Sequence, residues 1–462
     1  MYDLIVIGAG PGGYEAALRA SELGMRTALV ERREIGGTCL NRGCIPTKAL
    51  LHTAQTVHDA RNAARLGVRV ESMTVDMARV LAWKTEVVGT LRGQVENMLR
   101  TAGVELFFGN GRLLRENRVR VDHPNGMELL EGRNILIATG SKPAVPPIQG
   151  LDSPGVVTSD ELLEGLEHVP ESVVIIGGGV IGVEFASFFG QMGSSVCILE
   201  GQSRLLPQMD RDLGQGMAQS LKKNGMMIVT DAMVSQVKAE GGMLTVAYTR
   251  KGKEAEQTAE LVLCAVGRTP VTDGLLDEGL SLEMNRRSIA VNGRYETSLP
   301  GVFAIGDVSS RVQLAHVAAA QGIRCVETIA GMEPAYDMTA IPSCIFATPQ
   351  IGATGMTLEE AAAQGVDAVE ARAVVTGNGR NLILGGERAM IKLVAERKTH
   401  RLIGAHIMCP EATEMISQFT EAIVHRMTVE QLMMVVHPHP TFEEGVLSAL
   451  RALKQRLFEA KT

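Results

Sequence analysis

A glycine fingerprint that occurs twice constrains the fold of this 462-residue chain more than any other feature. The first copy reads as a strand, Asp3-Leu-Ile-Val-Ile-Gly8, a turn holding Gly8, Gly10 and Gly13, and a helix pattern from Tyr14 to about Leu23. A second strand, Thr27-Ala-Leu-Val, then ends in Glu31. The second copy runs Ser172-Val-Val-Ile-Ile-Gly177, then Gly179 and Gly182, and a strand Val196-Cys-Ile-Leu-Glu200. In each, the first glycine permits a tight turn, the second lets backbone approach a pyrophosphate, and the third lets helix pack on strand. The helix N-terminus then stabilises the phosphate charge. A carboxylate suited to ribose hydroxyls stands twenty-three residues after the first glycine in both copies. One glycine triplet is often an ordinary turn. Two, with the same flanking strands and the same acid offset, predict an α/β fold with two Rossmann-like domains and two bound dinucleotides.

Further segments fill out this organisation. Asn134-Ile-Leu-Ile-Ala-Thr139-Gly140 precedes a linker with Pro143, Pro146 and Pro147, and Leu261–Pro270, which contains Gly267, ends the second unit in the same way. The strand Val302-Phe-Ala-Ile-Gly-Asp307 places an acid just past a buried strand, where an open parallel sheet presents ligand-binding groups. From about Ile341 the pattern becomes strands (389–395 and 402–408) followed by helices (411–427 and 443–458), an α+β region without a dinucleotide motif. The predicted boundaries are 1–147, 148–271, a segment 272–340 that completes the first domain, and 341–462.

A net charge of −7 argues against nucleic acid or an anionic membrane surface as the main partner. MYDLIVIGAG enters a strand at once and has no secretory or transit character, and no run approaches the roughly 18 apolar residues of a membrane span. A cytoplasmic location is expected. At the second unit Glu200 favours the free 2′-hydroxyl of NAD and repels the 2′-phosphate of NADP. Arg204 would soften that preference if it turned toward the ribose, and is otherwise a solvated surface residue.

Five of the seven cysteines (Cys197, Cys264, Cys325, Cys344 and Cys409) stand singly in apolar surroundings and read as small core residues. The other two occupy Gly36-Gly-Thr-Cys39-Leu-Asn-Arg42-Gly43-Cys44-Ile-Pro46-Thr-Lys48. Residues five apart on a regular helix point about 140° away from each other. A bond between these sulfurs therefore needs an irregular turn entering a helix, which Gly43 and Pro46 permit. Zinc would want a closer pair and two further ligands, and none is near in sequence. Lys48 lies one turn beyond Cys44, and its charge, with that of Arg42 and the helix N-terminus, is expected to lower the thiol pKa. Near the end stands His437-Pro438-His439-Pro-Thr-Phe-Glu-Glu444, which taken alone reads as a surface turn.

With these motifs assembled, the sequence resembles the pyridine nucleotide–disulfide oxidoreductases over its whole length. The resemblance implies FAD on the first domain, with Gly8, Gly10, Gly13 and Glu31 around its ADP half. Thr139, Gly140, Ala315 and Asp307 would be further contacts, Asp307 toward the ribityl chain. It implies NAD on the second domain at Gly177, Gly179, Gly182, Glu200 and Gly267, with Val180 at a gate over the nicotinamide. Cys39 and Cys44 become a redox-active disulfide, Cys44 as the thiol against the flavin and Cys39 as the thiol that meets substrate. Lys48 matches a lysine near flavin N5, and Glu184 the acid that pairs with it. His439 matches the catalytic base and Glu444 the acid orienting it; a neutral imidazole held by a carboxylate takes a thiol proton near neutral pH. The C-terminal region becomes the interface domain of an antiparallel homodimer, with His439 serving the cysteine pair of the other subunit.

Within the family, the double histidine and Glu200 are most similar to members that oxidise dihydrolipoyl groups with NAD+. That implies free dihydrolipoamide, or a lipoyl-bearing protein of a 2-oxo acid dehydrogenase or glycine cleavage complex, as partner. Relatives with C-terminal redox cysteines are a poorer match, since the last cysteine is Cys409 and the tail 458–462 has none. The alternatives are another disulfide or metal-ion reductase of the family and a non-catalytic NAD-binding docking subunit. Three residues depart from the common pattern: Arg42 and Gln350, where an apolar residue and Glu are usual, and Pro438, where Ala is usual.

Overall fold

The computed structural model describes residues 1–459; the last three residues of the tail lie outside the described residues. Its first sheet is built on β1 (Tyr2–Ile7) and β2 (Thr27–Glu31), which pair in parallel with Leu4 opposite Thr27 and Ile7 opposite Val30. Both strands are almost wholly buried, as expected of a parallel sheet covered on both faces. The order continues β3 (Glu105–Phe108), β2, β1, β6 (Gly126–Ile137), then β5 (Arg118–His123) and β4 (Asn110–Leu114) as an antiparallel meander on the first half of β6. The strand Val302–Ala304 pairs with the second half of β6, so the chain returns to this sheet after building the second one.

The second sheet has the same plan. Its parallel strands run in the order Met227–Thr230, Ser195–Glu200, Ser172–Ile176, Leu261–Cys264 and Val156–Thr158, beside a three-stranded meander over 232–259. In both units the strand order reverses next to the first fingerprint strand, which opens a crevice at the carboxyl ends of the strands.

Helix α1 (Pro11–Glu22) begins three residues earlier than its sequence pattern predicts. Gly12 and Gly13 are weak helix formers, but a side chain at Gly12 would meet the Ala318 carbonyl at 2.9 Å, so close packing on α8 (Ala315–Ile329) overrides propensity. Between β2 and β3 lie α2 (Gly37–Arg42), α3 (Cys44–Asn62) and α4 (Met77–Thr101). The second unit has α5 (Ser159–Gly165) after its edge strand, α6 (Val180–Met192) after its fingerprint, and α7 (Arg211–Lys223). From residue 343 a five-stranded antiparallel sheet, which includes Met390–Glu396 and Leu402–Met408, carries helices Ala412–Val424 and Glu444–Phe458 on a separate core. Among the described residues no helix is long and apolar enough to cross a membrane.

Candidate active site

One cleft of about 1650 Å3 joins the crevices of both units, and Gly8, Gly10, Glu31, Cys39, Cys44, Lys48, Gly177, Gly179 and Glu200 all line it. The two fingerprints are built alike to within tenths of an ångström. A Cβ on Gly8 would meet the Ala138 carbonyl at 2.4 Å, and one on Gly177 the Ala265 carbonyl at 2.4 Å. A Cβ on Gly13 or Gly182 would strike the carbonyl of its own turn, at 1.8 and 2.0 Å. Gly10 and Gly179 instead face open space, where a diphosphate fits against the start of α1 or α6. The acids match too. Glu31 accepts from the N–H groups of Ala9 and Arg33, both at 2.8 Å, and Glu200 from those of Gly178 at 2.6 Å and Gln202 at 2.7 Å. Each carboxylate is thus fixed with lone pairs left for ribose hydroxyls. Arg204 is tied to the Pro207 carbonyl at 2.8 Å. These residues fit two dinucleotides.

Gly140, Asp307 and Ala315 extend the first cradle and Gly267 the second; Thr139 lines it as well and donates to the Val271 carbonyl at 2.7 Å. Burial raises the Asp307 carboxyl above its ordinary range, against the hydrogen bond it accepts from Ser141 at 2.5 Å and the nearby Arg268 charge. Arg268 in turn donates to Ser141 Oγ at 2.7 Å. Sequence reasoning singled out Asp307 and Gly267 but not Ser141 and Arg268, although each of the latter adjoins a residue it had named.

Cys39 lies on α2 and Cys44 opens α3, with Gly43 breaking the helix between them. The expected irregular turn is therefore present. Both residues are free thiols, Cys39 half-buried and Cys44 exposed to the cleft, and the two thiols interact. The neighbouring Cys39 thiol lowers the Cys44 thiol to about 7, partial desolvation in the cleft opposes this, and the Lys48 ammonium and the N–H at the start of α3 assist. The same contact, then burial, pushes the Cys39 thiol far up, so the proton stays on Cys39. Arg42 is not among these influences, contrary to the sequence expectation: its guanidinium is engaged by Glu34 and Glu164. Lys48 reaches across from α3 to α6 and donates to both oxygens of buried Glu184, at 2.9 and 2.8 Å. Glu184 also accepts from the Phe346 N–H at 2.9 Å, and Lys48 Nζ lies 4.8 Å from the Phe346 ring centre. Phe346 carried no sequence signal. Cys344, expected in the core, is half-buried on the cleft wall; the other four single cysteines are buried.

His439 Nδ1 lies 2.7 Å from Glu444, and the Thr441 N–H holds the second carboxylate oxygen at 3.1 Å. These two contacts, His439 first, hold the Glu444 carboxyl below its usual range. Yet the His439 side chain is 79% exposed, and neither residue lines the cleft that contains the cysteines. Within one chain the structure assembles Cys39, Cys44, Lys48 and Glu184, and leaves the His439–Glu444 pair apart from them.

Residues 2–322 match the family described as pyridine nucleotide-disulphide oxidoreductase, and residues 341–450 match that family's dimerisation domain. A dihydrolipoyl dehydrogenase from Geobacillus stearothermophilus is 36% identical over 453 residues, covering 97% of this chain and 95% of that protein. The Cu(II) complex of RclA, an HOCl-induced flavoprotein disulfide reductase from Escherichia coli, superimposes with a TM-score of 0.86 at 30% identity, covering 97% of this chain and 99% of its own. LpdA from Mycobacterium tuberculosis reaches a TM-score of 0.89 at 25% identity, covering 99% and 100%.

Proposed function

The chain belongs to the pyridine nucleotide-disulphide oxidoreductase family, as an enzyme that uses FAD and NAD and carries a dimerisation domain, and from that premise we propose that it oxidises a dihydrolipoyl dithiol with NAD+. The observation that carries this reading is the placement of Cys39 on α2 and Cys44 at the start of α3 in the cleft that joins the two cradles, beside the Lys48–Glu184 ion pair. FAD bound on the first cradle would supply a two-electron relay between the cysteine pair and the nicotinamide.

The protein's own groups act on the dithiol. The partner subunit's His439, oriented by its carboxylate, takes a proton from one substrate thiol. The thiolate attacks Cys39 Sγ of the oxidised pair, so a mixed disulfide forms as the Cys39–Cys44 bond breaks and Cys44 leaves as thiolate. A low thiol pKa makes Cys44 a good leaving group. The second substrate thiol then attacks the substrate sulfur of the mixed disulfide, releasing oxidised lipoyl, and its proton ends on Cys39. The assignment of His439 across a two-fold interface is supported by its exposure and its place in the dimerisation domain. Mixing inactive Cys44→Ser and His439→Gln subunits should restore roughly a quarter of wild-type activity, because half the dimers are mixed and each mixed dimer has one intact site. Recovery of nothing in verified mixed dimers would remove the shared site.

We also propose a cytoplasmic location and a lipoyl-bearing protein of a 2-oxo acid dehydrogenase or glycine cleavage complex as partner, readings supported by the dihydrolipoyl dehydrogenase relatives. The likeness to RclA in its Cu(II) complex supports a second reading, reduction of another disulfide or of a metal ion. Steady-state assays decide between them. Dihydrolipoamide with NAD+ should give the highest kcat/KM, above glutathione disulfide with NADPH and Cu(II) with NADH. If either of the latter pairs leads, the dihydrolipoyl assignment fails.

A further inference from the structure

Arg42 stands between the two cysteines in sequence and is buried, with 7% of its side chain exposed. Its guanidinium bridges two carboxylates: one arm donates to Glu34, in the loop before α2, and Nε donates to Glu164 on α5 at 2.7 Å. Arg33 closes the ring on the solvent side, 3.1 Å from Glu164 and 3.9 Å from Glu34. A buried ion pair is a weak source of stability because desolvating the charges is costly, and the exposed Arg33 contacts add little. What the ring does supply is position.

Helix α2 has six residues, far too few to hold its shape unaided. At its start Gly37 presses on the phosphate turn, where a Cβ would come within 2.6 Å of Gly10 Cα. Asn41 donates to the carbonyls of Ile35 and Gly37, both at 2.9 Å, but these belong to the same segment and anchor it to nothing else. The C-terminal end of α2 is fastened by Arg42 to α5. That helix is itself held to α4, since the buried Lys84 donates to the Leu163 carbonyl.

We propose that Arg42 is a positioning residue for the dithiol: by tethering α2 to Glu164 and Glu34 it keeps Cys39 on α2 beside Cys44 at the start of α3. It thereby sets the effective concentration of one sulfur at the other. This rests on the reading of Cys39 and Cys44 as the redox-active pair. A loosened α2 moves the Cys39 thiol away from Cys44, and that neighbouring thiol is the largest influence lowering the Cys44 thiol. It also makes the disulfide easier to reduce, because ring closure becomes less favourable.

The test uses FAD-loaded protein and two readouts besides turnover. In the first, two-electron-reduced enzyme is titrated with acid while the long-wavelength charge-transfer absorbance of the Cys44 thiolate is followed. Wild type should lose the band with a midpoint of about 7, the thiolate being present above that pH and protonated below it. Arg42→Met should move the midpoint upward. In the second, thiols are counted in dithiothreitol redox buffers, and Arg42→Met should shift the dithiol–disulfide equilibrium toward dithiol by about tenfold, or about 30 mV. Arg42→Lys, which keeps the charge but not the forked geometry, should fall between. Glu164→Gln should move both readouts in the same direction by less, and serves if Arg42→Met does not fold. Unchanged midpoint and thiol equilibrium in these variants, with only a lower Tm, would overturn the proposal and leave Arg42 a strut. A wild type that shows neither a charge-transfer band nor a redox-linked change in thiol count would overturn the dithiol reading itself, and the tether with it.

Discussion

The two dinucleotide units share strand order, glycine contacts and the acid that ends the second strand, and they differ in what surrounds the cradle. Over the first, the chain adds α2 and α3 with their cysteines, the Gly306–Asp307 turn and the start of α8 at Ala315. Over the second, the described residues include no such cysteine-bearing helix pair. Instead Val180, Met233 and Val266, which are 38%, 63% and 43% exposed, present apolar surface to the cleft. Exposed apolar groups lining a crevice mark a surface that a ligand covers. One backbone device thus serves two purposes: enclosed by further elements it retains a cofactor through many turnovers, and left open it admits a coenzyme that must leave after each one. The helix after the fingerprint shows the same contrast. Helix α1 opens with Pro11 and packs on α8, whereas α6 opens with the exposed Val180 and carries Glu184 to Lys48.

The comparison breaks most visibly if chemistry is not confined to the layer over the first unit. Cys44→Ser should lower dithiol turnover on the order of 10^4-fold or more, while NADH oxidation by an artificial electron acceptor continues, because the second cradle is untouched. Loss of both activities would mean that the cysteines also hold the coenzyme site together. Paired glycine substitutions sharpen the contrast at an intermediate scale. Gly13→Ala and Gly182→Ala force a Cβ onto a turn carbonyl at nearly the same distance, and strain of this kind costs about 1–3 kcal/mol. Gly13→Ala should yield protein depleted in flavin, whereas Gly182→Ala should retain its flavin and show a KM for NAD+ raised about tenfold or more. Flavin loss from both would show that the units are not independent. An effect of similar size on the coenzyme, without backbone strain, belongs to the second acid. Glu200→Ala leaves ribose hydroxyls poorly paired and should weaken NAD by roughly 1–3 kcal/mol, with NADP turnover rising and flavin content constant. Wild type that already uses NADPH as well as NADH contradicts the role given to Glu200.

Much of this organisation is legible in the sequence because close backbone approach leaves so few residue choices. Gly8 and Gly177 must lack a side chain, so the cradle is written where it is used. The start of α1 was hidden for the converse reason, since packing of Gly12 on α8 outweighs the low helix propensity by which a pattern is judged. The Lys48 charge acts over one helical turn and could be read from spacing. The engagement of Arg42 could not, because Glu164 lies 122 residues away and reaches it only through the packing of α5 on α2. The contact between Ser141 and Asp307 spans 166 residues and was hidden in the same way. His439 and Glu444 were found as a motif, and the 79% exposure of the His439 side chain agrees with the surface turn that the segment suggests when read alone.

The return of Val302–Ala304 to the edge of β6 has a consequence for biosynthesis. The N-terminal sheet leaves the ribosome ahead of the second unit but is completed only after the whole second unit has been made. At ordinary elongation rates of about 5–20 residues per second, the edge of β6 waits on the order of ten seconds for its partner. During that interval the nascent chain exposes an apolar strand edge and lacks Asp307 and Ala315, which line the cleft. The second unit, contiguous in sequence between Val156 and Cys264, can close as soon as it leaves the tunnel. Completion of the first cradle is therefore a late event in the life of the nascent chain.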